Sequence, residues 1–79
     1  MVDLNFYDWL VNEKKMTHYA AKDVISRCNR VIKILGADSL NDGALTMLSS
    51  KEEFSGYSKF IKSQLKRAVK LYEEFQGEK

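Results

Sequence analysis

The stretch YSKFIKSQLKRAVKLYEEF, residues 57–75, separates into two opposed faces when read at helical spacing. Tyr57, Phe60, Ile61, Leu65, Ala68, Leu71, Tyr72 and Phe75 recur at i, i+3 and i+4 and form an apolar stripe. Lys59, Lys62, Lys66 and Lys70 fall on the other side, with Arg67 on the flank, and no acidic residue lies between Glu53 and Glu73. Solvated helices commonly mix the two signs, because Glu–Lys pairs at i, i+4 support them. A wet face with five cations and no carboxylate is instead a surface suited to phosphate. The spacing therefore predicts a long amphipathic helix over about 57–76, with a core on one side and a polyanion partner on the other.

The rest of the chain reads as helices too. Phe6, Trp9 and Leu10 share a face over Leu4 to Asn12, with Asp3 as the expected N-cap. The run from Asn12 to Met16 breaks the period. Thr17 then caps a second helix reaching about Leu35, whose inner stripe is Ala21, Val24, Ile25, Cys28, Val31, Ile32 and Leu35. Gly36 stands where a left-handed C-terminal cap belongs. A short third helix is expected from about Asn41 to Leu48, capped by Asn41-Asp42, with Leu45 and Leu48 inward and Leu40 packing back on Ala44 or Leu45. Ser50-Lys-Glu-Glu53 has the serine-to-glutamate spacing of a capping box and marks a further helical start. Gly56 either splits that segment into a turn at 50–55 and the long closing helix, or kinks one continuous helix. Residues 77–79 should fray. No segment alternates with a period of two, so no sheet is expected. The expected fold is a single all-α domain over residues 1–79, a compact bundle of four to five helices.

Seventy-nine residues allow one modest core and no deep substrate cavity. The net charge of +2 is a weak signal; the clustering of the cations is the informative part. The one cysteine, Cys28, excludes an internal disulfide, sits in the apolar stripe as a small core residue, and suits a reducing cytoplasmic setting. The opening MVDLNFYDWL lacks the basic start and apolar run of a secretory signal, and no stretch approaches the length of a membrane span.

Catalytic material is sparse. The lone His18 reads as a solvated first-turn side chain, and one histidine with one cysteine does not make a zinc site. Gly36 and Gly43 are isolated, not a phosphate loop. Glu52/Glu53 and Glu73/Glu74 diverge around their helices and do not converge on one bond. With no converging nucleophile and base, the reading is a non-enzyme with no cofactor, no metal and no small-molecule substrate. Trp9 reads as a core anchor beside Phe6 and Leu10. Tyr19 lies on the polar side of the second helix, either covering a neighbour's edge or donating its hydroxyl to a phosphate.

Lysines also serve simple solubility. Here the flanking Arg67, the missing carboxylates and a second basic face tip the balance toward phosphate contact. That second face carries Lys22, Ser26, Arg30 and Lys33. Ser63, Gln64 and Arg67 offer groups for base edges, and two crossing helices would form one positive saddle around a duplex.

The segment FYDWLVNEKKMTHYAAKDVISRCNRVIKIL, residues 6–35, resembles the opening of the core-binding domain of tyrosine recombinases, the phage-integrase family. An aromatic-rich first helix, a charged turn, a capping Ser or Thr and a second helix with an aliphatic close are represented by Phe6, Trp9, Leu10, Thr17, Val31, Ile32 and Leu35. The last helix of such domains is matched by Tyr57, Lys62, Ser63, Leu65, Tyr72 and Phe75. The resemblance implies a SAM-like bundle contacting duplex DNA through its second and last helices. Thr17, Lys22, Ser26, Arg30, Lys62, Ser63, Lys66 and Arg67 are the contacts it implies; the basic stripes add Lys33, Lys59 and Lys70.

The chain departs from the family in an acidic, longer middle segment over 38–53 and in alanine at position 21, where the family has tyrosine. The family's catalytic domain has no counterpart in these residues, so the expectation is an excised domain or a fold kept for binding alone. The competing expectation is a protein-interaction module, a regulator or homodimer from a phage or mobile element. Its lysine stripe would meet an acidic groove, with Met16, Ile34 and Met47 as an apolar patch.

Overall fold

A computed structural model describes residues 4–37, 40 and 43–77. The described chain is all-helical: α1 (Leu4–Asn12), α2 (His18–Leu35), α3 (Ala44–Ser49), α4 (Glu52–Ser55) and α5 (Lys59–Gly77). The predicted caps at Asp3 and Asn41-Asp42 lie outside the described residues. No helix among the described residues is long and apolar enough to cross a membrane.

The two long helices, α2 and α5, make the most extensive interhelical contact, and α1 packs on both. In α1, Phe6 and Leu10 stand one turn apart and lose all their exposure. The Phe6 ring meets Tyr72 edge-on at 5.0 Å and Phe75 at 5.3 Å, joining the first helix to the last turns of α5. Trp9 anchors the same cluster from a half-buried position, 5.7 Å from Phe75, with the Lys14 ammonium 5.3 Å from its ring centroid.

The α1–α2 link turns at Lys15, whose φ of 56° is left-handed. Thr17 then caps α2 as the sequence predicts, its hydroxyl oxygen accepting from the Ala20 N–H at 3.2 Å. At the other end Gly36 adopts φ 67°, ψ 29°. The Ala37 N–H reaches the Ile32 carbonyl and the Gly36 N–H the Lys33 carbonyl, each at 3.2 Å. This pairing is a Schellman cap, and a Cβ at Gly36 would be strained by φ alone even though the space around it is open. Along α2, Ala21, Val24, Cys28, Val31 and Ile32 are buried; Ile25 and Leu35, expected in that stripe, are half-buried on its borders.

The middle of the chain differs from the sequence reading in instructive ways. Leu40, Ala44 and Leu48 enter the core, while Leu45 stays half-buried. Ser50 does not open a capping box. Its hydroxyl donates backward to the Met47 carbonyl at 2.7 Å and closes α3, leaving Lys51 as the N-cap of α4 with no side-chain cap bond. The orphan carbonyls of α3 captured the hydroxyl that the N–H groups of α4 needed.

α4 is a single turn that buries Phe54 and ends at Gly56. The closing helix is therefore separate. It starts at Lys59, with the Ser58 hydroxyl accepting from the Ile61 N–H at 3.3 Å, so Tyr57 precedes the helix. It continues to Gly77, past its expected end.

The buried stripe of α5 is Leu65, Ala68, Val69, Tyr72 and Phe75. Val69, absent from the predicted stripe, has no exposure, whereas Phe60, predicted inward, is 72% exposed. The inward face is therefore centred further round the helix than the predicted stripe, taking in Val69 and leaving the first turn's ring outside.

Cys28 is fully buried and its thiol donates to the Ala68 carbonyl at 3.3 Å across the α2–α5 contact. Burial pushes the thiol up from 9.0 to about 12, since a thiolate there would be stripped of water. Two results are expected. Iodoacetamide at pH 8 should label native protein far more slowly than urea-unfolded protein, by at least about a hundredfold. Stability should be unaffected by this group below pH 9 and decline as pH rises from 9 toward 12, because the unfolded chain releases the proton first. Native labelling as fast as unfolded labelling would contradict the packing.

Candidate nucleic-acid interface

α5 presents its cations along an arc of solvent-facing surface. Lys59, Lys66, Arg67 and Lys70 are exposed and Lys62 is half-buried. The arc is not uniform. The ammonium groups of Lys62 and Lys66 lie 5.8 Å and 5.9 Å from the centroid of the Phe54 ring, so α4 forms a shelf beneath that side. Such contacts hold the stems while leaving each positive charge uncompensated.

The one ion pair among the described residues joins Lys14 to Glu74 at 2.6 Å, away from this arc. Among the described residues, then, no carboxylate forms an ion pair with the lysines of α5 or with Arg67.

On the opposite side of the arc, α5 and α2 leave a cleft of about 520 Å³ between them. Its floor is Val24 and Ala68, and the small Ala20 and Ala68 side chains leave the space open. Arg27, Asp23, Ser63, Gln64 and Arg67 supply its polar lining, and Phe60 and Met16 are its outer apolar walls. A second hollow of about 280 Å³ continues from it, sharing Asp23, Arg27 and Gln64 and adding Ser26 and Arg30. The two form one groove along the α2–α5 seam.

The predicted contact residues therefore occupy four places. Ser26, Arg30, Ser63 and Arg67 converge on the groove. Lys62 and Lys66 lie over Phe54, with Lys59 and Lys70 exposed on the same helix. Lys22 and Lys33 are exposed on α2 but line neither hollow. Thr17 is exposed, yet its hydroxyl oxygen is engaged in capping α2.

Arg27 was not singled out in the sequence, although it lines both hollows. The available signal was its position, three residues from Val24 and from Arg30, on the border between the buried stripe and the wet face. Tyr19 is 80% exposed and its ring lies 5.6 Å from His18. His18 is exposed as expected, but its Nδ1 shares a 2.6 Å hydrogen bond with the Tyr7 hydroxyl, linking α2 to α1. Of the apolar patch expected for a protein partner, Met47 is exposed, while Met16 and Ile34 are half-buried.

Among the described residues no three metal-ligating side chains gather. No protein-family model, no curated protein and no solved structure matches the chain.

Proposed function

We propose that this chain is a non-catalytic DNA-binding module of the kind its sequence resembles, the core-binding domain of tyrosine recombinases, working in the cytoplasm. It would contact duplex phosphates through the basic face of α5 and the exposed face of α2. The observation that carries this reading is the uncompensated arc of Lys59, Lys62, Lys66, Arg67 and Lys70, with no described carboxylate paired to it. Phosphate contact needs positive groups that are accessible and not already neutralised. Ser26, Arg30 and Ser63 at the α2–α5 groove extend the surface beyond one helix, so the duplex would be held at two lines of contact.

Counterion release makes the reading measurable. If five cations each meet a phosphate, log affinity against log salt should fall with a slope of about −4 to −5. Fluorescence anisotropy with a labelled duplex, run across a salt series, reads that slope directly. A slope near zero, or no binding at low salt, would reject phosphate contact and leave the protein-interaction reading in its place.

A further inference from the structure

The α2–α5 groove differs in chemistry from the lysine arc beside it. A surface that only cradles phosphate needs donors and positive charge, yet Asp23 lines both hollows of this groove. A carboxylate repels phosphate and accepts from amino and imino N–H groups. Arg27, Arg67, Ser63 and Gln64 supply donors around the same space, and Ser63 and Gln64 accept as well. Donors and acceptors together over an apolar floor of Val24 and Ala68 suit the edge of a planar heterocycle, not a phosphate alone.

Phe60 supplies the second, independent observation. Its ring is 72% exposed at the cleft, and it has no aromatic or cationic stacking partner among the described residues. An apolar ring held in water beside arginines is what a base-stacking platform requires. The cleft's volume of about 520 Å³ falls within the range of roughly 300–1,000 Å³ usual for sites that take a small planar ligand.

We infer that the α2–α5 cleft receives one unpaired nucleobase of a DNA strand. The base stacks on Phe60, its edge meets Asp23 and Gln64, and its flanking phosphates lie against Arg27 and Arg67. Bases in an intact duplex are stacked inside it and present only their edges, so they cannot enter a cleft of this shape. The preferred substrate is then DNA with an unpaired position. This inference rests on the DNA-binding reading above and narrows it.

The test compares two labelled DNA hairpins, each closed by a non-nucleotide linker in place of a loop, by anisotropy at one salt concentration: one fully paired, the other identical but with a single unpaired central nucleotide. The native chain should bind the unpaired hairpin about tenfold more tightly. Phe60→Ala should remove that preference while changing affinity for the paired hairpin less than about twofold. Because Phe60 is exposed, its thermal melt should match that of the native chain. Guanine alone offers adjacent N1–H and N2–H2 donors to one carboxylate, so the native chain should favour guanine at the unpaired position and Asp23→Ala should reduce that preference.

Equal affinity for both hairpins would overturn the inference and leave duplex binding standing. A preference that survives in Phe60→Ala would also overturn it. Binding of the unpaired hairpin alone would support the cleft while rejecting duplex contact, and binding of neither would reject both.

Discussion

Phe6→Ala is expected to destabilise the fold by about 3–5 kcal/mol, the usual cost of emptying a buried phenylalanine site. Phe6 has no exposure and touches three other rings, Trp9 at 6.1 Å, Tyr72 at 5.0 Å and Phe75 at 5.3 Å. Its loss removes apolar burial, the aromatic contacts and the anchor of α1 in one step. The surrounding rings are too large and too constrained to collapse into the space. A domain of this length has a total stability of only about 4–12 kcal/mol. The variant should therefore melt at least about 12 °C lower, or fail to fold at 37 °C. Circular dichroism at 222 nm with heating checks this, and a shift of only a few degrees would mean that the aromatic cluster does not organise the bundle.

The triple charge reversal Lys62→Glu, Lys66→Glu, Lys70→Glu is expected to weaken duplex binding on the order of a thousandfold near 0.1 M salt. Three of five cations are removed and three repulsive charges take their place. The salt slope should flatten toward that of the remaining contacts. Lys62 and Lys66 also rest over Phe54, so the triple variant also strips α4 of that cover. Lys59→Glu with Lys70→Glu separates the two causes, since neither side chain contacts Phe54 among the described residues. That pair should still lower affinity about tenfold or more with no change in melting. Full binding in the triple variant would leave the basic arc without a role in DNA contact.

Much of the architecture was legible in the residues because several signals agreed. α1 falls on the predicted span, and α2 begins after Thr17 and ends at Gly36, where the cap chemistry and the apolar period coincide. Where local chemistry had two outlets, reading failed. Ser50 serves the carbonyls behind it instead of the N–H groups ahead, a choice decided by the three-dimensional closeness of α3 to α4. Phe60 and Val69 exchanged expected places for a related reason. Periodicity locates an apolar stripe, but the position of its centre depends on which neighbouring helices cover the flanks.

The candidate site was legible as charge and illegible as shape. Lysine and arginine spacing on α5 and α2 located the basic surface, and Ser26, Arg30, Ser63 and Arg67 do meet at one groove. The groove itself depends on Ala20 and Ala68, two small residues far apart in sequence that face the same seam. No single helix carries that information; the spacing of Arg27 marks only a border position on α2, and it is the pairing of helices that brings Arg27 and Asp23 to one space.

The Phe6 contacts to Tyr72 and Phe75, reinforced by the Lys14–Glu74 pair, have a bearing on how the chain is made. These partners stand near opposite ends of the described sequence, so the closure is non-local. During synthesis Phe6 lacks these two rings until the last turns of α5 leave the ribosome, although α2 covers part of α1 before then. The bundle thus closes like a clasp only once α5 has emerged, and a nascent chain stalled before residue 72 would leave the Phe6 side of α1 open and adhesive.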